Sequence, residues 1–224
     1  MSIEPQASPA LAGSARDGRD ARWEAHRTQR RRQLVEAALR AIRQHGAGVG
    51  MDEIAAQAGT SKTVLYRHLG DKAGLYGAVV SAVDDNVLAD LREAQESGGD
   101  LLSRIAAMAH SYLSLVERDP DIYRFVMTRP LEDPDQPDPV QRVTGVIGEQ
   151  ITAALYAHLV EAGRADEADL LAPAWGHGIV GMVRSAADHW LSTNTTDPDQ
   201  PSVDDVTHAV MELIRPALQG VTRA

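Results

Sequence analysis

The sequence contains no cysteine, only one phenylalanine and few aromatic residues of any kind. Without cysteine the chain can form neither a disulfide framework nor a thiolate metal site, which fits the reducing cytoplasm. The aromatic content of 4%, beside many alanines and leucines, favours helices over a β-sandwich. No run of about 18 apolar residues suggests a membrane-spanning helix, and the Pro- and Arg-rich N-terminus lacks the apolar core of a secretory signal. We therefore expect a helical, cytoplasmic protein.

Basic residues are concentrated in one N-terminal block of an otherwise acidic chain. The formal net charge is −10, yet residues 26–76 hold nine Lys or Arg residues against four acids. This block therefore has five surplus positive charges, and the rest of the chain carries −15. Such a chain can bind DNA phosphates with the basic block while its acidic remainder is repelled from them. Ordinary charge scatter is the alternative explanation.

Apolar residues recur with helical spacing along most of the chain. Leu34, Ala38 and Ile42, for example, form one apolar stripe. Glycines, prolines and helix-capping acids separate the periodic segments. The pattern predicts nine helices, at about 28–45, 51–58, 61–69, 72–96, 101–117, 122–128, 140–162, 167–192 and 203–218. The proline-rich stretch 129–139 is predicted to be an exposed loop.

No segment alternates with the period of a β-strand, so the predicted fold class is all-α, with a three-helix head and a body of about six helices. We expect a disordered arm at residues 1–25, the head at 26–76 and the body at 77–224. The arm combines Pro, Gly, Ser and alternating Arg and Asp without apolar periodicity, which is typical of disorder. It either remains in solvent or enters a minor groove of DNA beside the head.

Residues 51–69 have the features of a helix-turn-helix. In this motif one helix lies across the DNA backbone, and a second helix, after a tight turn, enters the major groove. Ala55 is small where the two helices cross, and Gly59 can adopt the positive φ that the turn demands. Either Thr60 or Ser61 is placed to cap the second helix. The inward-facing positions are all apolar: Ile54, Ala58, Leu65 and Leu69.

The run from Gly59 to Lys72 resembles the signature of the tetracycline-repressor (TetR) family. It shares the glycine turn, the pair Tyr66-x-His68 and a lysine that opens the next helix. The resemblance covers roughly residues 30–80. It implies a transcriptional regulator that binds double-stranded DNA.

The resemblance assigns separate roles to the side chains of this run. Base-edge contacts are implied for Lys62, Thr63 and Arg67. Phosphate contacts are expected from Ser61, Tyr66, His68 and Lys72. Lysine and arginine also suit guanine O6 and N7 chemically, threonine suits the methyl group of thymine, and amides at a helix start suit a phosphate. The alternative for Tyr66 and His68 is that both are simply packed within the head.

Two positions depart from the family pattern. Leu69 stands where an aromatic residue is common, and we expect the smaller side chain still to seal the head. Gly50-Met51 replaces the usual Ser or Thr cap on the first helix of the motif. The phosphate contact expected at that helix start is therefore left to a backbone amide.

A single recognition helix reads too little DNA for specificity, so we expect a homodimer on a near-palindromic operator. In the family the last two long helices pair across the dimer, which here are about residues 167–192 and 203–218. Gly176, Gly178 and Gly181 fall in the first of these, where each costs about 1 kcal/mol relative to alanine. Such small residues suit either a dimer seam or a close helix crossing within the chain.

The resemblance also implies an effector pocket, because family members typically build one between the fifth and eighth helices. Candidate lining residues are Met108, Tyr112, Phe125, Met127, Ile151, Leu155 and Trp175. Candidate polar groups are His110, His177 and Arg184. Plain core packing is the alternative for each side chain. Because cations are scarce among the candidates, the expected effector is apolar or weakly polar.

The expected function is a sequence-specific repressor that a small apolar effector releases from DNA; the alternative is an effector-independent activator or architectural protein. An enzyme is not expected, because the five histidines after residue 100 form no His-x-x-x-His or His-Glu-x-x-His pair. The sequence also lacks a glycine-rich phosphate loop, a Gly-x-Ser-x-Gly segment and a cysteine nucleophile. No cofactor or metal site is expected.

Overall fold

The computed structural model describes residues 12–96, 98–128, 139–193 and 200–221. Its helices are α1 (Ala12–His45), α2 (Met51–Gln57), α3 (Lys62–Leu69), α4 (Lys72–Glu96), α5 (Leu101–Arg118), α6 (Pro120–Met127), α7 (Pro139–Glu161), α8 (Ala165–Thr193) and α9 (Val203–Val221). The described ranges contain no strand, so the predicted all-α class is confirmed. None of these helices is both long and apolar enough to cross a membrane. The predicted loop 129–139 lies outside the described residues, except that its last residue begins α7.

The head is built around the C-terminal half of α1. Leu34 and Ile42 lie on one face of this helix and are fully buried. Ile54 of α2 and Leu65 of α3 are also fully buried and pack into the same core. Leu69 is only 3% exposed, so this leucine seals the head where an aromatic residue is common in the family.

Helix α1 begins well before the predicted start at about Thr28. It starts at Ala12, so residues 12–25 are helical rather than part of a disordered arm. Alanine and arginine favour helices in this stretch, and Glu24 pairs with Arg27 one turn later, with 3.7 Å between Oε2 and Nη1. The prediction relied on an apolar stripe to locate a helix. A helix that is supported by residue propensity and by side-chain pairs does not need such a stripe. The rest of the predicted arm lies outside the described residues.

Helices α7 and α8 pack along each other in the body. Gly176 of α8 lies where they approach most closely, because a Cβ there would collide with Thr152 Oγ1 and come within 2.9 Å of the Gly148 carbonyl oxygen. Gly148 in turn leaves room for the His177 ring. Gly176 therefore serves a crossing within the chain, which is one of the two roles that the sequence leaves open.

The other two glycines of α8 face outward. Gly178 and Gly181 are exposed, and a Cβ at either position would meet no atom within 4 Å. Helix α9 packs against α5 and α8. Where the chain returns from α8 toward α9, the Trp190 indole N–H donates to the Pro201 carbonyl oxygen at 2.9 Å. Helices α8 and α9 are thus neighbours, and small residues of α8 lie open on the surface.

The head and the body share helices rather than meeting at a linker. Helix α4 crosses the predicted boundary after residue 76, and its first turns belong to the head core. Ile122 and Val126 of α6 pack into the same core. The Tyr76 hydroxyl donates to the Val126 carbonyl oxygen at 2.7 Å. A displacement of α6 would therefore reach the head directly.

Candidate DNA-binding face and ligand cavity

The turn between α2 and α3 has the geometry that a helix-turn-helix requires. Gly59 adopts a φ of +59°, in the left-handed region that favours glycine. Ser61 is the N-cap residue of α3 and is extended, with φ −97° and ψ 156°. Its hydroxyl forms no capping hydrogen bond. The first amides of α3 are therefore not covered by the cap side chain, as a phosphate site at a helix start requires.

Helix α3 divides its side chains between the core and solvent. Leu65 and Leu69 point into the head. Within α3, four of the five residues predicted to contact DNA are exposed: Lys62, Thr63, Tyr66 and Arg67. Their spacing of i, i+1, i+4 and i+5 places them on one face of the helix. Tyr66 keeps 43% of its surface exposed, which argues against the alternative that it is packed within the head.

Lys62 is held against α2 by an ion pair. Its Nζ lies 2.7 Å from Asp52 Oδ2, and this hydrogen bond raises the pKa of Lys62 above its ordinary value. Both side chains are exposed, so the pair is weak and exchanges with other partners. A guanine contact by Lys62 therefore requires that DNA displace Asp52.

His68 is half-buried at the end of α3. Burial lowers the pKa of its imidazole, and the positive charges of Arg67 and Arg30 lower it further. Arg31 of α1 donates to the His68 carbonyl oxygen at 2.8 Å, which ties the end of α3 to α1. A neutral imidazole can still donate one N–H to a phosphate, and the arginines around it attract that phosphate.

The turn between α3 and α4 positions Lys72. Gly70 ends α3 with a φ of +83°, and Asp71 Oδ1 accepts the Gly74 amide at 2.8 Å at the start of α4. A Cβ on Gly74 would collide with the Leu69 carbonyl oxygen, so the two helices meet only because this residue is glycine. Lys72 is exposed on the first turn of α4, directly after the end of α3.

The Gly50 amide at the start of α2 already has a partner. It donates to Glu53 Oε2 at 3.1 Å, which is the half of a capping box that a glycine N-cap allows. The backbone contact to a phosphate predicted at this position must therefore compete with Glu53.

A cavity of about 310 Å³ lies at the junction of the head and the body. Its walls come from α1, α4, α5, α6 and α7 and are mostly apolar, including Val83, Val87, Leu115, Ile122, Val143 and Ile147. At its edge Arg43 donates to Asp119, with 2.6 Å from Nε to Oδ1 and 3.2 Å from Nη2 to Oδ2. This guanidinium holds the pKa of Asp119 below its usual value. The cavity thus touches both the head helix α1 and the helices of the body.

Four of the seven predicted pocket residues line cavities. Tyr112 and Met127 line the cavity at the junction. Met108 and Ile151, again with Tyr112, line a neighbouring space of about 50 Å³. Arg184, one of the predicted polar groups, borders that smaller space. The structure therefore brings together part of the predicted set, around Tyr112.

The other predicted pocket residues lie elsewhere. Phe125, Leu155 and Trp175 line neither of these two spaces and pack against the apolar cores. His110 and His177 face acids at the surface: His110 Nε2 lies 3.1 Å from Asp204 Oδ1, and His177 Nε2 lies 3.6 Å from Glu149 Oε1. Apolar type and helical spacing did not distinguish a cavity wall from a packed core.

The sequence interpretation missed the charged groups of the cavity. Asp84 is 7% exposed and lines the cavity wall. A signal for it existed, because Asp84 follows Val80 by four residues and precedes Leu91 by seven, and so falls on the apolar stripe of α4. The pairing of Arg43 with Asp119 had no such signal, because 76 positions separate the two residues.

Two family models match the chain. The model described as bacterial regulatory proteins, tetR family, matches residues 34–79. The model described as tetracyclin repressor-like, C-terminal domain, matches residues 90–211. The first covers α2, α3 and the parts of α1 and α4 that pack on them, and the second covers most of the body.

Individual proteins give the same result. An uncharacterised helix-turn-helix transcriptional regulator of Mycobacterium tuberculosis is 34% identical over 213 residues, which cover 93% of this chain and 85% of that protein. The transcriptional activator FasR of Mycolicibacterium smegmatis is 38% identical over 101 residues, 45% of this chain and 46% of FasR. The nucleoid occlusion factor SlmA of Idiomarina loihiensis is 31% identical over 106 residues, 46% of this chain and 54% of SlmA.

Among solved structures, a putative transcriptional regulator of Pseudomonas aeruginosa has a similar fold. Its TM-score is 0.69 at 19% identity, over 88% of this chain and 93% of that one. Together with the two family models and the M. tuberculosis relative, this fold leaves one assignment. The chain belongs to the TetR family and is a DNA-binding transcriptional regulator.

Proposed function

We propose that this protein binds a near-palindromic operator as a homodimer, with α3 of each protomer in the major groove. The observation that carries the proposal is the composition of α3 itself. Its inner face is closed by fully buried Leu65, while its outer face presents lysine, threonine, tyrosine and arginine side chains. This face lies within the basic block of an acidic molecule, where DNA phosphates are attracted.

Base reading and anchoring fall to different side chains. Lys62, Thr63 and Arg67 share the exposed face of α3 and have the chemistry to contact base edges. Ser61, His68 and Lys72 lie at the two ends of α3 and the start of α4, and Tyr66 is exposed beside Arg67; phosphates would lie around these four side chains. The first set is proposed to determine sequence preference, and the second set to determine affinity for DNA of any sequence.

The homodimer is proposed to form through α8 and α9. Each helix exposes a large apolar side chain, with Leu170 of α8 exposed at 74% and Leu213 of α9 at 71%. The exposed Gly178 and Gly181 allow another helix to approach α8 closely. Single solvated leucines are common on protein surfaces, but two on neighbouring helices, beside such glycines, suit a self-complementary interface.

Substitutions on these helices test the dimer. Leu170→Glu and Leu213→Glu together should convert the protein from dimer to monomer in sedimentation, because each places a charge in the interface. Tyr156→Glu on α7 is the matched control, since Tyr156 is also exposed, at 42%, but lies on neither proposed interface helix. Dissociation by the α7 substitution alone would place the interface elsewhere.

The protein is proposed to act as a repressor that a small effector releases from DNA. The cavity at the junction supports this, because its walls include Leu39 and Arg43 of α1 as well as body residues. A ligand shifts an equilibrium only through different affinities for two conformations. A ligand held between α1 and the body contacts both parts and therefore has such a difference available.

A second candidate function is activation or DNA organisation without an effector. It is favoured by two relatives, of which one is named a transcriptional activator and the other a nucleoid occlusion factor. Both match over less than half of this chain. Transcription of the bound genes, measured in cells with and without this protein, separates the candidates: loss of a repressor raises their transcription, and loss of an activator lowers it.

Selection of binding sites from genomic fragments by the purified full-length protein tests DNA recognition. The proposal predicts one enriched near-palindrome whose half-sites lie about 34–36 Å apart, one helical turn, or a multiple of this spacing. Enrichment of no sequence above background would contradict sequence-specific binding. The genes beside the enriched sites would identify what the protein controls.

A further inference from the structure

The cavity at the junction carries more negative than positive charge. The acids among its lining residues are Asp84, Asp90 and Asp119, and the bases are Arg43 and Arg118. Both arginines contact Asp119, Arg43 through two hydrogen bonds and Arg118 through a 3.6 Å ion pair. Both arginines are thus already paired with Asp119 at one edge of the cavity. Neither of them is paired with Asp84 or Asp90.

Asp84 is the most deeply placed of these acids. It is 7% exposed, and its Oδ2 atom is buried with no hydrogen-bond partner in the described parts of the chain. Arg142 of α7 lies 3.9 Å from this oxygen, beyond hydrogen-bond distance, and its own side chain is 67% exposed. Burial raises the pKa of Asp84 to about 6, and Arg142 offsets this only in part. This oxygen therefore has no hydrogen-bond donor among the residues that the structure describes.

A buried acceptor without a donor destabilises a folded protein. Asp84 also occupies the apolar stripe of α4, where a valine or leucine would stabilise packing. Positions that break local rules in this way, on the wall of a cavity, are often binding sites. The missing donor is therefore most simply supplied by the molecule that fills the cavity.

We propose that the cavity binds a small amphipathic cation whose apolar body lies against the valine and isoleucine walls and whose single basic nitrogen donates to Asp84. The proposal rests on the proposed effector function and gives the effector a chemical class. It replaces the apolar or weakly polar effector predicted from the sequence. Asp90 adds negative potential on the same cavity, and the two lining arginines are already engaged by Asp119.

The size of the cavity limits the ligand. About 310 Å³ is at the lower end of the range for small-molecule pockets, roughly 300–1,000 Å³. The lining combines broad apolar walls with few polar groups, so a ligand with a single hydrogen-bonding head and an otherwise apolar body matches it best. Large polycations match neither the volume nor the walls.

Three ten-carbon probes with different heads test this chemistry: decylamine, decanol and decanoate. Isothermal titration of the full-length protein at pH 7.5 should show decylamine binding at least tenfold more tightly than decanol, with decanoate weaker still. Asp84→Asn should lower the affinity for decylamine at least tenfold and leave that for decanol unchanged. Asp85→Asn is the matched control, because Asp85 is the exposed neighbour on α4 and does not line the cavity.

Equal binding of decylamine and decanol to the parent protein would overturn the proposal, as would binding of none of the three probes. If Asp84→Asn failed to fold, the selectivity of the parent protein would decide alone. Operator binding without any probe is measured in parallel on the same samples. If it persists while the probes fail, the ligand class is wrong; if it is absent, the proposed DNA-binding function is wrong.

Discussion

The head and the body of this protein differ in charge and in packing. Residues 26–76 carry five surplus positive charges and supply most of the head core, whereas the rest of the chain carries −15 and supplies most of the cavity wall beside α4. The side chains proposed to act in the head come from one short run, residues 61–72. Those proposed to act at the cavity come from five helices. The side chains proposed to bind DNA thus face solvent, whereas those proposed to bind a ligand surround a cavity.

Two contacts join these parts and show how one can influence the other. The Tyr76 hydroxyl binds the backbone of α6, and Arg43 of α1 binds Asp119 at the start of α6. Helix α6 is therefore joined to the head by these two polar contacts in addition to its packing in the head core, while its Ile122 and Tyr123 line the cavity. Changes to single groups therefore reveal whether the head and the body respond separately or together.

The largest expected effect is the loss of stability when a buried core side chain is truncated. The consequence for DNA binding should differ between the head and the body. Leu65→Ala in the head and Leu155→Ala in the body each truncate a fully buried leucine. Each should lower the free energy of unfolding by about 2–5 kcal/mol in urea titration. Only Leu65→Ala should also weaken DNA binding among the molecules that remain folded. Equal losses of DNA affinity would show that the parts are not separable.

The second effect concerns the junction of α3 and α4. Gly74→Ala should lower the free energy of unfolding by about 1–3 kcal/mol, because its Cβ would collide with the Leu69 carbonyl oxygen. Gly77→Ala on the same helix meets no atom within 4 Å and should raise it by about 0.5–1 kcal/mol. Thermal unfolding measures both. If Gly74→Ala left the free energy of unfolding unchanged, the end of α3 would not lie this close to Gly74 of α4.

The third effect tests the ion pair that joins α1 to α6. Asp119→Asn should lower the free energy of unfolding by about 1 kcal/mol at pH 7, since a partly exposed pair contributes little more. Asp119 has a lowered pKa in the folded protein, so its stabilisation is present above about pH 4 and is lost as the pH falls below that value. The variant and the parent should therefore converge in acid.

Asp121→Asn is the control for this pair, because Asp121 pairs with Arg124 inside α6 and not with the head. It should change the stability by only a few tenths of a kcal/mol. A constant difference between Asp119→Asn and the parent from pH 7 to pH 3 would contradict the assigned cause. It would point to packing rather than charge at this position.

The smallest expected effect concerns Asp52, the acid that holds Lys62. Asp52→Asn should tighten operator binding about two- to fivefold, because it releases Lys62 and removes a negative charge near the phosphates. Asp85→Asn removes the same charge from the body and should leave DNA affinity unchanged. Fluorescence anisotropy at low salt detects the difference, which should diminish as salt is added.

The sequence predicted the all-α fold and the helix-turn-helix because the signals for both are local. Helical spacing located every helix, and the Gly59 turn, Leu65 and Leu69 defined the motif within twenty residues. The early start of α1 was missed because the sequence of residues 12–25 has no apolar stripe. Local patterns are thus sufficient where a helix has a buried face and insufficient where it has none.

The cavity was predicted only in part, because its walls depend on contacts between distant residues. Tyr112 and Met127 do line it, whereas Leu155 and Trp175 have the same apolar character but pack into the core. Nothing in the neighbourhood of Asp119 in the sequence indicates its partner Arg43. Asp84 was also missed, although the sequence contained a signal for it. An acid on the apolar stripe of α4 conflicts with its surroundings.

The proposal that Arg67 contacts bases and Lys72 contacts phosphates is tested most directly by comparing Arg67→Ala with Lys72→Ala. The affinity of each variant is measured on the selected operator and on unrelated DNA over a range of salt concentrations. Arg67→Ala should lose about 1–3 kcal/mol of preference for the operator, roughly 5- to 150-fold, and bind unrelated DNA almost as before. Lys72→Ala should weaken binding to both DNAs alike and reduce the salt slope by about one unit. If both variants bound both DNAs as the parent does, α3 would not be the recognition helix.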